Sequence, residues 1–309
     1  MKTVSIVTPC FNEEGTIGII YEQIKNIMDS LPGYNYEHIF IDNCSEDKTV
    51  DELTKLARHD SKVKLILNTR NFGQIRSSNH ALLQATGDAV IHLVADLQDP
   101  PELVPKFIKK WAEGYPIVIG QKKTTKDSWG MSVIRRLYYW LIDSIATSEQ
   151  IKNYTGFGLY DKKVIDTIRS LKDPYPYFRG LISELGFEVA KVQYDQPARL
   201  TGLTSHSFYS LYDMAVLGIT NHSKVPLRVA TFLGFMMSIL SLGAGFFYLA
   251  YKLLYWSEFE LGAAPLIIGL FFFAAVQLFF IGIIGEYIGS IHTQVLKRPM
   301  VVEKERVNF

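Results

Sequence analysis

Charged side chains are spread along the chain as far as Arg228 and then almost vanish between Val229 and Gly285. The first apolar run, Val229 to Tyr251, holds roughly 23 residues and the second, Leu261 to Gly285, roughly 25, each enough to cross a hydrocarbon core about 30 Å thick. One such run can be the core helix of a soluble domain, but two in tandem, ended by Lys252 and Glu286, predict two membrane spans at about 229–253 and 262–286. The connection KLLYWSEFE carries Glu258 and Glu260 and places Tyr255 and Trp256 at interface depth, while Lys224, Arg228, Lys297, Arg298, Lys304 and Arg306 lie beyond the opposite ends. Basic residues stay on the cytoplasmic side, so both termini are expected there. The apolar run in MKTVSIVTP is too short for a signal peptide before Asn12, Glu13 and Glu14. The expected organisation is a cytosolic domain over 1–205, an amphipathic juxtamembrane segment over 206–228, the two spans within 229–290 and a cytosolic tail over 291–309.

The remainder is long enough for a substantial core, with 48% hydrophobic residues over 309 positions. A net charge of +1 gives no global attraction to nucleic acid. Two cysteines, Cys10 and Cys44, fit buried thiols in a reducing compartment. Val4 to Thr8 reads as a strand, and Ile17, Ile20, Tyr21, Ile24 and Met28 then recur at the three- and four-residue steps of an amphipathic helix. HIFID (His38 to Asp42), KLILN (Lys64 to Asn68), AVIHLVA (Ala89 to Ala95) and PIVIG (Pro116 to Gly120) are further buried strands, with helical stretches such as PELVPKFIKKWAEG between them. The alternation predicts an α/β, Rossmann-like, mostly parallel sheet covered on both faces. Ligands of such sheets bind beyond the carboxyl ends of the strands. The polar residues there are Asn12, Glu13, Asp42, Asn43, Arg70, Asn71, Asp96, Gln98 and Asp99.

The order SIVTPCFNEEGTI, IDNCSEDKT, NTRNFGQ and VADLQDPPELV before two spans resembles the inverting GT-A glycosyltransferases of family 2 that load a sugar onto polyprenyl phosphate. The catalytic part is similar to dolichol-phosphate mannose synthases and the paired spans to bactoprenol glucosyltransferases. The resemblance implies a GT-A domain on a two-helix transmembrane hairpin, a nucleotide-sugar donor, with a UDP-sugar favoured, a polyprenyl phosphate acceptor at the inner-membrane leaflet, and room for a homo-oligomer. It places Pro9, Asn12, Glu14 and Asp42 beside the nucleoside. Arg70, just after a strand, is the candidate cation for a phosphate, with Arg76, Lys122 and Lys123 as weaker companions. Asp96 and Arg199 are the catalytic candidates. A diphosphate leaves with added negative charge, and a hard divalent ion, Mg²⁺ or Mn²⁺, answers it. Asp96 and Gln98, two residues apart on one side of an extended chain, are the candidate ligands. Simpler readings stand beside these: Asp96 and Asp99 as caps of the following helix, Asn12 as an N-cap, and Asp42 as a turn former.

Four positions depart from the pattern. Val94 stands where many relatives have the first aspartate of a D-x-D pair; Gly156 and Gly158 stand where they have an aspartate taken as base and an arginine; Ser205 stands where a lysine is common. The alternative function is therefore a membrane-anchored nucleotide-sugar or lipid-binding subunit without turnover. Against it, an acceptor phosphate is already largely dianionic at cytosolic pH and can attack without a base. Asp161, Arg179 and His206 are the remaining polar candidates on the membrane side.

Overall fold

The computed structural model describes residues 1–123, 151, 153–197, 223–255 and 263–309. Strand β1 (Lys2–Cys10) leads into α1 (Ile17–Asp29), β2 (Tyr34–Asp42) into α2 (Thr49–His59), and β3 (Val63–Asn68) into α3 (Gln74–Gln84). Next come β4 (Ala89–His92), a single 3₁₀ turn at Pro101–Leu103, α4 (Val104–Ala112), β5 (Ile117–Lys122), β6 (Tyr154–Asp161), α5 (Lys162–Leu171), α6 (Phe178–Glu184) and β7 (Val189–Tyr194). Two long helices follow, α7 (Val225–Leu254) and α8 (Ala263–Leu296), and the chain closes with β8 (Glu303–Val307).

The strands form one eight-stranded sheet ordered β7-β5-β6-β4-β1-β2-β3-β8. Its centre is parallel, with β1 between β2 and β4 and β3 beyond β2. Strand β6 runs antiparallel to both β4 and β5, and β7 lies parallel to β5. Successive side chains leave opposite faces of a strand, and here both faces are buried. Val4, Ile6 and Phe40 pack with the stripe Ile17, Ile20, Tyr21, Ile24 and Met28 of α1 and with Phe107 and Trp111 of α4. Val7, Ile39 and Ile41 face the other way, onto Ala81 and Leu82 of α3 and Val164, Ile165 and Ile168 of α5. The α/β sheet expected from the sequence is present, and the helical stripe read on α1 is the buried one.

Three boundaries differ from the sequence reading. Strand β4 stops at His92 rather than Ala95, because the backbone turns there and Leu97 takes a left-handed φ of 57°. Helix α7 begins at Val225, with Pro226 in its first turn, and α8 continues ten residues past Glu286. The segment read as a tail over 291–309 is instead the end of α8 plus a strand. EKERV pairs antiparallel with β3, Leu65 opposite Val307 and Leu67 opposite Glu305.

Polar contacts fix that edge. Glu303 accepts from His80 at 2.5 Å and from Arg306, which also donates to Gln84 at 2.8 Å. The Asn308 amide donates to the carbonyls of Ala57 and Val63. Glu303, Glu305 and Arg306 make β8 charged, as suits the last strand of a sheet.

Helices α7 and α8 are each long and apolar enough to cross a bilayer, with mean hydropathy of 1.8 over Val225–Leu254 and 1.9 over Gly269–Leu296. Neither apolar stretch is buried against the rest of the chain, so they are not core helices and form a candidate transmembrane hairpin. Because β8 follows α8 and joins the same sheet as β1, both ends of the chain lie on one side of that hairpin. Tyr287 donates to the Ser223 carbonyl at 2.6 Å and Gln294 to Asp173 at 2.8 Å, linking the base of α8 to the domain.

Candidate functional site

Strands β3-β2-β1-β4 repeat the order in which a doubly wound sheet reverses direction, and the reversal lies between β1 and β4. The carboxyl ends of β1, β2, β3, β4, β5 and β7 and the amino end of β6 share one edge of the sheet, since β6 alone among them is reversed. Two polar clusters form there.

The first joins the loops after β1, β2 and β3. Asn12 holds a left-handed φ of 55°, which an asparagine tolerates better than most residues. Its N–H donates to the Ser45 hydroxyl at 2.9 Å and its side-chain oxygen accepts from the Glu46 N–H at 2.8 Å. Glu14 accepts from the Lys48 N–H at 3.0 Å and donates its own N–H to Asp47 at 3.2 Å. Asn12 is therefore a latch between loops and not the cap of α1, a position Thr16 holds.

Asp42 is buried at the end of β2, accepting from the hydroxyl and the N–H of Ser45. Burial pushes its carboxyl above the usual range, against the pull of those bonds. Pro9 lies beside it in register, opposite Ile41. Asn43 accepts from Asn68 and from the Phe72 N–H and donates to Asn71, which holds the third loop. Arg70 extends from that loop, its guanidinium 4.1 Å from the centre of the Phe72 ring. Cys10 is buried with its thiol on the Ile41 carbonyl, while Cys44 is half-buried; both are free.

The second cluster lines an open cavity of about 370 Å³. The segment after β4 supplies Val94, Asp96, Gln98 and Asp99; β5 supplies Lys122; the start of β6 supplies Thr155 and Gly156; α3 supplies Gln74, Ser78 and Asn79; Tyr177 and Arg179 close the far side. Asp96 and Gln98 do meet, by a different route from the one expected. They sit in a turn, not on an extended strand, and Asp96 accepts from the Gln98 N–H at 3.1 Å.

Asp96 caps no helix here, and neither does Asp99. The Asp99 carboxyl is buried, accepts from the Tyr194 hydroxyl at 3.0 Å, and is pushed up to about 7, first by burial and then by the charge of Asp96. His92, the last residue of β4, is buried between the Ser78 hydroxyl at 3.1 Å and the Gly156 carbonyl at 3.2 Å, and burial pushes it down to about 4. Gly156 has a φ of 105°, which disfavours any side chain. At Gly158 a Cβ would stand 2.5 Å from the Val118 carbonyl, so glycine is what lets β5 approach β6.

Among the expected site residues, Asp96, Gln98, Lys122 and Arg179 converge on the cavity, and Pro9, Asn12, Glu14, Asp42 and Arg70 gather in the loops beside it. Lys123 is turned to an exposed ion pair with Asp195, and Arg76 stacks over Tyr175. Asp161 belongs to the framework: it caps α5 through the Lys163 N–H and accepts from Trp111 at 2.7 Å. Arg199, Ser205 and His206 lie outside the described residues. Sequence reasoning did not single out Ser78, His92 or Tyr194. The only signal for His92 was a polar residue in the middle of the apolar run Ala89 to Ala95.

Residues 5–169 match the family described as Glycosyl transferase family 2. The chain is 35% identical over 303 residues to the glycosyltransferase YkcC of Bacillus subtilis, covering 96% of this chain and 92% of that protein. It is 32% identical over 303 residues to the bactoprenol glucosyl transferase of Shigella phage SfII, covering 98% and 97%. Among solved structures it resembles glucosyl-3-phosphoglycerate synthase from Mycobacterium tuberculosis, crystallised with Mn²⁺, UDP and phosphoglyceric acid. That likeness has a TM-score of 0.51 and 20% identity, over 71% of this chain and 76% of the other.

Proposed function

From the premise that this chain belongs to glycosyl transferase family 2, we propose that it transfers one sugar, with inversion, from a nucleotide-sugar donor, a UDP-sugar in preference, to polyprenyl phosphate at the cytoplasmic leaflet. The observation that carries the reading is that the likeness to a bactoprenol glucosyl transferase runs over 98% of this chain, apolar hairpin included. The hydrogen bond from Gln294, at the base of α8, to Asp173 supports it, because it ties the apolar hairpin to the segment leading into the Tyr177 and Arg179 side of the cavity.

In this account the loops of Asn12, Glu14 and Asp42 receive the nucleoside and the cavity receives the sugar. The acceptor phosphate oxygen attacks the anomeric carbon, and the bond to the donor diphosphate breaks with its electron pair leaving on the diphosphate. One displacement inverts the centre. No protein base is required, because a phosphate monoester with a second pKa of about 6 is its own nucleophile. Gly156 then gives the acceptor room in place of a carboxylate that would repel it. Arg70 from the third loop and Lys122 from the cavity serve the phosphates.

The donors fit a hard divalent cation. Asp96 and Gln98 present only oxygen ligands to the cavity, and among the described residues no three of His, Cys, Asp and Glu gather to hold a metal alone. Substrate phosphates would complete such a shell for Mg²⁺ or Mn²⁺. When bound, the ion supplies Lewis-acid stabilisation of the departing diphosphate, held by Asp96 and Gln98.

The test incubates purified protein with polyprenyl phosphate and a panel of nucleotide sugars and seeks a glycosyl-phosphate lipid by mass spectrometry. The expected product forms with the phosphate and not with free polyprenol. No product from any donor, with nucleotide binding intact, would leave a binding subunit as the answer.

A further inference from the structure

Ser78 and His92 are both buried, both line the cavity, and neither has a role in the mechanism above. Their hydrogen bonds have a fixed direction. The Gly156 carbonyl can only accept, so the ring nitrogen Nδ1 of His92, 3.2 Å away, must carry the proton. Buried and neutral, the ring then has a bare Nε2, which can only accept, and the Ser78 hydroxyl 3.1 Å from it must donate. The same Gly156 carbonyl also accepts from Tyr160 at 2.6 Å, and a φ of 105° keeps position 156 without a side chain that could turn that carbonyl elsewhere.

The single proton of Ser78 is thus committed to His92, so toward the cavity that Ser78 lines its oxygen can serve only as an acceptor. An acceptor cannot bind a phosphate dianion, which has no proton to give. It recognises an O–H or N–H group. We propose that Ser78 accepts a hydrogen bond from a hydroxyl of the sugar being transferred, with His92 as the positioning residue that sets the direction of the Ser78 hydroxyl. This rests on the donor being a nucleotide sugar, and it makes Ser78 a determinant of which sugar is used. A buried acceptor left without its hydroxyl penalises the wrong sugar more than an apolar wall would.

The test measures transfer and equilibrium binding for UDP, the UDP-sugar that the wild-type chain uses best, and its monodeoxy analogues, with wild-type, Ser78→Ala and His92→Phe proteins. In the wild type one deoxy analogue is expected to lose about tenfold in kcat/KM or affinity relative to the parent sugar. Ser78→Ala should lose a similar factor for the parent and nothing further for that analogue, so the ratio falls to about one. His92→Phe, which keeps the ring volume but removes the acceptor nitrogen, frees the Ser78 proton to point at the sugar and should lower the same ratio by a smaller factor than Ser78→Ala. UDP affinity should stay unchanged in both variants, which also shows that the fold is retained. A parent-to-deoxy ratio unchanged by Ser78→Ala, or equal losses for every donor and for UDP, would overturn the assignment while leaving the glycosyltransferase reading intact. A wild-type chain that neither binds nor uses any nucleotide sugar would overturn that reading, and the assignment with it.

Discussion

The loops after β1, β2 and β3 and the cavity beside β4 and β6 occupy one edge of one sheet, yet they spend their polar groups differently. In the loops, Asn12, Glu14, Asn43 and Asn71 are bound to neighbouring loops, Asn12 and Asn43 more than once, and Asp42 is held twice by Ser45 of its own turn. In the cavity, Asp96 makes one bond to its own turn, and the Gln98 amide has no partner among the described residues. Groups committed to one another hold a shape; groups with capacity left over can hold a ligand or a cation. In the proposed function the loops are the mould for the nucleoside, and the cavity is where the sugar is transferred.

The sharpest way to break this division is Asp96→Asn. It should lower transfer by about a hundredfold or more, equivalent to several kcal/mol at the transition state, while the melting temperature stays near that of the wild type. Steady-state kinetics with a thermal melt decide it, and unchanged turnover would assign Asp96 to the turn alone.

Gly156→Asp probes the opposite claim, that the cavity needs no added carboxylate. The φ of 105° should make the variant less stable by about 2 kcal/mol, with no gain in transfer. A gain would show that a protein base was missing.

Acid should weaken the framework beneath both regions through two buried histidines. His38, inside β2 and bonded to Thr8, is pushed down to about 3 by burial, and His92 to about 4. Their ordinary value is about 6.5, so between pH 6.5 and the folded values the unfolded chain binds protons that the folded chain refuses. Stability contributed by each neutral ring is complete above pH 6.5 and falls as pH drops, by about 2 kcal/mol for each at pH 5. Denaturation followed from pH 7 to 5 should show a shallower slope in His38→Gln.

The smallest effect is expected from Asn12→Ala, about 1 kcal/mol from a lost latch and an unfavourable left-handed backbone. It should weaken UDP binding while leaving the sugar ratio governed by Ser78 untouched, which isothermal titration can read.

Much of this was legible in the sequence, and the exceptions share a cause. Strands β1, β2, β3 and β5 announce themselves as apolar runs because both faces of the sheet are covered. Asp96 and Gln98 were singled out by residue type and both line the cavity, but they are not on the extended strand expected, since Leu97 turns the chain. β8 could not be read: EKERV is charged, and only its pairing partner 200-odd residues earlier in the chain makes it a strand. His92 and Ser78 were missed because a buried polar pair is defined by the two positions meeting, and neither alone departs from a strand end or a helix face.

That late strand also orders events during synthesis. The Asn308 amide meets the Val63 carbonyl across 245 positions, and a ribosome adding about 5–20 residues per second needs about 10–50 s to cover that interval. For all of that time β3 is an open sheet edge, and both apolar helices must emerge before it can be closed. The last step in completing the soluble sheet therefore waits on the hairpin, so a chain cut short within or just after α8 carries a nearly finished domain with its edge exposed to other copies.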